Sequence, residues 1–116
     1  MSCLDIADDE AVKIAEPMMD DIMRGVDHRD YGLHSRHFSV DLKSQYSQEQ
    51  FLSECDKREA DWGRPGVRHL LTIFRKPKTF TLVWVQEFDR AEGQVMAVAT
   101  VALKGGRYFV DYFLLH

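Results

Sequence analysis

The chain has 116 residues and a mass of 13.5 kDa, which is room for one domain with a single core and not for two. Hydrophobic residues make up 45% of it and charged residues 29%, a balance that excludes a disordered, collagen-like or supercharged chain. The net charge of -4 is uneven: residues 1–66 carry eight basic and fifteen acidic side chains, residues 67–116 seven and four.

Residues 1–7 read as a flexible tail, residues 8–66 as a helical part and residues 67–116 as an antiparallel sheet, together one domain over 1–116. Asp8 and Asp9 precede Val12, Ala15, Met19, Ile22, Met23 and Val26, whose spacing predicts an amphipathic helix to about Gly25. Pro17 lies inside it and predicts a kink or two abutting helices, because proline removes a donor and clashes with the preceding turn. Asp27 to Ser39 is polar and histidine-rich and fits a short helix or an ordered loop. Ser47-Gln48-Glu49-Gln50 has the form of a capping box that opens a helix with Phe51, Leu52, Cys55 and Trp62 near one side. Gly63, Pro65 and Gly66 end that helix.

After Gly66 the apolar period changes to about two, and β-branched and aromatic residues take over. Strands are expected at Val67 to Arg75, Thr79 to Phe88, Gln94 to Lys104 and Arg107 to Leu115. Gly105-Gly106 is a two-residue hairpin signal. Strand two alternates Phe80, Leu82, Trp84, Gln86 and Phe88 with Thr79, Thr81, Val83, Val85 and Glu87, so both of its faces are largely apolar. Helices followed by antiparallel strands make an α+β fold in which one sheet face meets the helices. The other face, with Val83, Val85, Val98 and Thr100, is expected to form a homodimer.

No apolar run approaches the roughly 20 residues of a membrane helix, and the acidic start lacks the form of a secretory signal. A cytoplasmic protein without membrane contact is expected. Cys3 and Cys55 have no metal-finger spacing; Cys3 falls in the tail and Cys55 reads as a small core residue, so no structural disulfide is expected. The one dense basic patch, Arg75, Lys76 and Lys78, surrounds Pro77 and reads as a solvated turn. Gly106 to Tyr112 faintly echoes an RNA-recognition strand, but Arg107 and Tyr108 stand in the wrong places and the overall charge is acidic, so no nucleic-acid partner is expected.

Three features together resemble the nuclear transport factor 2-like superfamily, the cystatin-like α+β cone. They are the amphipathic first helix, the opener Ser47-Gln48-Glu49-Gln50-Phe51 running to Gly63, and the closing hairpin Gly105-Gly106-Arg107-Tyr108-Phe109-Val110-Asp111-Tyr112-Phe113. The resemblance, closest in style to small bacterial members of unknown function, implies a strongly curved sheet around helices, a cone-shaped pocket and frequently a dimer. It does not select among the family's isomerases, dehydratases, cyclases and non-catalytic carriers. No catalytic set of the family maps onto residues here.

Candidate chemistry concentrates in Asp27 to His37. On a helix Asp30, His34 and His37 would share a face, a geometry suited to zinc, but Gly32 and the flanking arginines favour a polar connector, so no metal and no cofactor are expected. As a pocket wall the same segment offers Tyr31 and His34 as acid–base or hydrogen-bonding groups and Phe38 as apolar lining. If Phe109, Phe113 and Leu115 face the core, strict alternation puts Asp111 there as a candidate acid; a bulge, or pairing with an arginine or His69, would return it to solvent. Trp62 and Trp84 could stack a planar ligand or serve as core anchors, and His69 completes the set of candidate ligand-binding residues. The leading expectation is a non-enzymatic module that binds a small apolar molecule or a protein partner. Its alternatives are a cofactor-independent isomerase, dehydratase or cyclase using Tyr31, His34 or Asp111, and a purely structural dimer.

Overall fold

A computed structural model describes residues 6–116. Cys3 and most of the expected tail lie outside the described residues; Ile6 already packs against the core. Four helices, α1 (Asp8–His28), α2 (Tyr31–His34), α3 (Val40–Gln45) and α4 (Gln48–Trp62), precede four strands, β1 (Pro65–Arg75), β2 (Thr79–Phe88), β3 (Val95–Lys104) and β4 (Arg107–Leu115). The strands form an antiparallel meander in the order β1-β2-β3-β4, curved and unclosed, with the helices on its concave face: the expected α+β architecture. No described helix is long and apolar enough to cross a membrane.

Helix α1 is unbroken through Pro17, contrary to two abutting helices, and runs three residues past Gly25. Pro17 and Lys13, whose carbonyl loses its partner, both lie on the exposed side, while Ala15, Met18, Met19 and Ile22 bury the opposite face against the sheet. Packing on the buried side holds both halves in line, and the freed carbonyl lies on the solvent side, where a lost helix bond costs least. The helix stops at Arg29, which turns left-handed (φ 56°) so that the Asp30 N–H reaches the Gly25 carbonyl at 2.9 Å. Ser47 opens α4 as expected: its hydroxyl accepts from Gln50 N–H at 3.1 Å and its own N–H donates to Gln50 Oε1 at 2.9 Å.

Phe80, Leu82 and Trp84 of β2 and Ala97, Ala99 and Val101 of β3 form the buried floor on which α1 lies. Glu16 of α1 ties that helix to two strands: it accepts the Trp84 indole N–H at 2.8 Å and the Arg68 guanidinium at 2.5 and 2.9 Å. Gly105 and Gly106, at φ 57° and 78°, make the tight β3–β4 turn that the dipeptide predicted. Irregularities bend the sheet, two in β1 and one in β4, where Asp111 is the extra residue between Val110 and Tyr112. The β4 bulge corrects the strict alternation. Val110, not Phe109, enters the core, and Phe109 lies across from Ala102 on the outer side.

Helices α1 and α2 touch backbone to backbone. A Cβ on Gly25 would stand 2.5–2.6 Å from the backbone and Cβ of His34. Gly25→Ala should therefore destabilise the protein by about 1–3 kcal/mol, although alanine favours an isolated helix. Gly32→Ala, whose Cβ would meet only Asp30 at 3.4 Å, should be neutral or stabilising. Urea unfolding of the two variants checks the opposite signs.

Candidate functional site

The segment after α1 is pinned at both ends. Asp30 caps α2 by accepting from Leu33 N–H at 3.1 Å, and residues 37–39 run beside β4, where Val110 N–H donates to His37 carbonyl at 2.7 Å and Ser39 N–H to Val110 carbonyl at 2.8 Å. This path buries His34 completely and seats Phe38 against the end of the sheet. Ser39 then caps α3 through Leu42 N–H at 3.2 Å and donates its hydroxyl to Asp111 at 2.7 Å.

His34 sits inside a cluster of rings. Phe51 is nearly stacked on it at 4.5 Å, with Phe38 at 5.2 Å, Phe113 at 5.6 Å and Tyr46 at 5.9 Å. Its Nδ1 lies 2.9 Å from the Ile22 carbonyl, which can only accept, so Nδ1 carries the hydrogen and Nε2 is a buried acceptor without a partner. Burial pushes its pKa down to about 4, and the ring is neutral at pH 7. Tyr31 packs on Phe51 and donates its hydroxyl to the Tyr46 carbonyl at 2.5 Å.

Over this cluster opens a cavity of about 210 Å³ at the β4 edge of the sheet. Phe38, Leu42 and Tyr46 close it on one side, Phe113 and Leu115 on the other, and Glu54 and Arg58 of α4 supply its charges. The Arg58 side chain is only 14% exposed; Nη2 donates to Glu54 Oε1 at 3.1 Å, and Nη1 is buried with no partner. Burial, then the neighbouring Glu54 carboxylate, pushes the Tyr46 phenol well above its ordinary value, so it stays protonated. The cavity thus offers apolar walls, the polar side chains of Gln45 and Tyr112, and one ion pair whose guanidinium keeps a buried, unpartnered Nη1 behind the wall.

The sequence candidates divide accordingly. Phe38 lines the cavity, while Tyr31 and His34 lie one ring layer behind it, in contact with its lining residues. Asp111 stands apart from them at the β4 rim, returned to partial exposure by its bulge and paired with Ser39 and with Lys104 at 3.0 Å, rather than with an arginine or His69. Those hydrogen bonds hold its carboxyl below the usual carboxylate range. His69 is on the outer sheet face, 2.7 Å from Glu87. Trp84 is a core anchor bonded to Glu16, and Trp62 packs on Phe88 at 5.2 Å, beside neither His34 nor Phe38. Asp30, His34 and His37 do not converge: His37 turns to Asp21 at 2.6 Å.

Leu42, Tyr46, Glu54 and Arg58 were not among the candidates. Arg58 did carry a signal. Phe51, Cys55, Arg58 and Trp62 recur every three to four residues, so a cation occupies the apolar stripe of α4.

No family model and no curated protein matches the chain. Among solved structures, Bd1075 of Bdellovibrio bacteriovorus superposes with a TM-score of 0.55 at 11% identity over 95% of this chain, which spans only 42% of the length of that protein. A scytalone dehydratase-like protein of Novosphingobium aromaticivorans superposes with a TM-score of 0.46 at 11% identity, over 92% of this chain and 83% of that one. Identity this low makes the likeness one of fold alone.

His34 also sets a pH dependence. Its folded pKa lies below the ordinary 6.5, so the unfolded chain binds the proton first as pH falls. Its contribution to stability is complete above pH 6.5 and falls through pH 5; by pH 4 the loss is about 3 kcal/mol. An NMR titration should show the imidazole neutral down to about pH 4, and a midpoint near 6.5 would contradict its burial.

Proposed function

We propose that the chain is a single-domain, small-ligand-binding module of the nuclear transport factor 2-like type, dimeric through its outer sheet face. The observation that carries the ligand reading is the roughly 210 Å³ cavity walled by Phe38, Leu42, Phe113 and Leu115, with more apolar than polar surface. A volume of about 150 Å³ is enough for benzene, so the occupant is of single-ring size with a short substituent. The acid–base alternative draws less support. The Tyr31 hydroxyl and the protonated nitrogen of His34 are each committed to a backbone carbonyl, and neither side chain lines the cavity.

The outer face supports the dimer. Across it Thr72, Val83, Val98 and Leu114 lie in register, beside the pair Val85 and Met96. Leu71 is 62% exposed and Phe74 58%, a large apolar area for a free surface.

Titration with toluene should move the methyl NMR signals of Leu42 and Leu115 saturably, and Leu42→Trp, which fills the mouth, should abolish the response of Leu115 while leaving the far-ultraviolet circular dichroism unchanged. An unsaturable response in the unmodified protein counts against the pocket. Sedimentation should show a dimer, and Val98→Lys, which puts a charge at the centre of the outer face, should convert it to monomer. A monomeric unmodified protein removes that interface.

A further inference from the structure

We infer that the cavity selects its occupant through a neutral oxygen acceptor, a ketone or amide carbonyl on a single-ring molecule, received by the guanidinium of Arg58. The inference deepens the ligand-binding reading and rests on it.

Arg58 sits on the stripe of α4 that otherwise faces the core, and its side chain borders this cavity on one side and a smaller one beside Val26 and Cys55 on the other. The group is always charged and carries five donors. Glu54 takes one nitrogen at 3.1 Å and leaves Nη1 buried and unpartnered, behind the cavity wall, so that a turn of the guanidinium would bring it to an occupant. A buried donor without an acceptor is costly, and the cost is recovered by any ligand that brings an acceptor to it. A hydrocarbon of the same shape cannot do so.

Charge decides which acceptor. Among the described residues Arg58 is the one cation bordering the cavity and Glu54 the one carboxylate, and the two neutralise each other. A second carboxylate on the same guanidinium would face Glu54 across a partly dehydrated space, where repulsion is several times stronger than in water. A carbonyl accepts the N–H bond, keeps its charge-assisted strength and adds no charge. The ring would lie between Phe38, Leu42 and Phe113, replacing water with apolar contact.

Three probes of similar size separate the terms: acetophenone, ethylbenzene and benzoate, titrated into the unmodified protein and followed by the methyl signals of Leu42 and Leu115. Acetophenone should bind about ten-fold tighter than ethylbenzene, although the hydrocarbon is the more apolar, and tighter than benzoate. Arg58→Met, which keeps the stem, should bring acetophenone down to the level of ethylbenzene. Glu54→Gln should narrow the gap between benzoate and acetophenone. Ethylbenzene binding as tightly as acetophenone, or acetophenone indifferent to Arg58→Met, overturns the acceptor role of Arg58; benzoate binding tightest overturns the preference for a neutral group. In each of those outcomes a ligand still binds and the pocket stands. Saturable binding by none of the three removes the pocket itself. The ratios in the unmodified protein decide the matter even where Arg58→Met fails to fold.

Discussion

The missing side chain at Gly25 is the constraint on which the site depends. Because nothing projects there, the backbone of α2 lies directly on α1, and His34 enters the core where the Ile22 carbonyl can receive its Nδ1–H. The imidazole then becomes the centre on which Phe38, Phe51, Phe113 and Tyr46 converge. Three of those rings also wall the cavity. A methyl group at position 25 would move α2 outward, and the lining would shift with it, since close-packed side chains transmit small displacements.

The uneven charge of the chain resolves into attraction between its layers. The acidic helical half meets the more basic sheet half at Arg68 with Glu16 and Asp20, at Arg75 with Asp8 and at Lys104 with Asp41. Exposed pairs of this kind contribute on the order of 0–1 kcal/mol each. Arg68, only 13% exposed, is the more consequential, because Glu16 also holds Trp84 and so fixes the height of α1 above the sheet. Orientation of the helical layer thus has an electrostatic component that apolar packing alone would leave loose.

Much of this was legible in the residues. The capping box at Ser47, the turn at Gly105-Gly106 and the four strands depend on neighbours within a few positions, and each appears within two residues of its expected place. Pro17 was harder to read, since the local rule predicts a break and only the buried face of α1 against the sheet keeps the helix whole. Phe109 and Asp111 were legible as alternatives only: a bulge shifts every later side chain, and what stabilises it is a bond from Ser39, 72 positions away in the chain. The candidate site was the least legible part. The histidine-rich segment behind it stands out by composition, whereas nothing local shows that Glu54 and Arg58 of α4 share a cavity with the end of β4.

By itself the sequence determined the order and type of the elements, the apolar faces and the α+β class, because periodicity, caps and turns are local physics. Tertiary structure alone decided that Arg58 is buried beside a cavity, that His34 is neutral and that Asp111 belongs to the rim. Those properties come from desolvation and from contacts between segments far apart in the chain, and no local pattern encodes how far a side chain is removed from water.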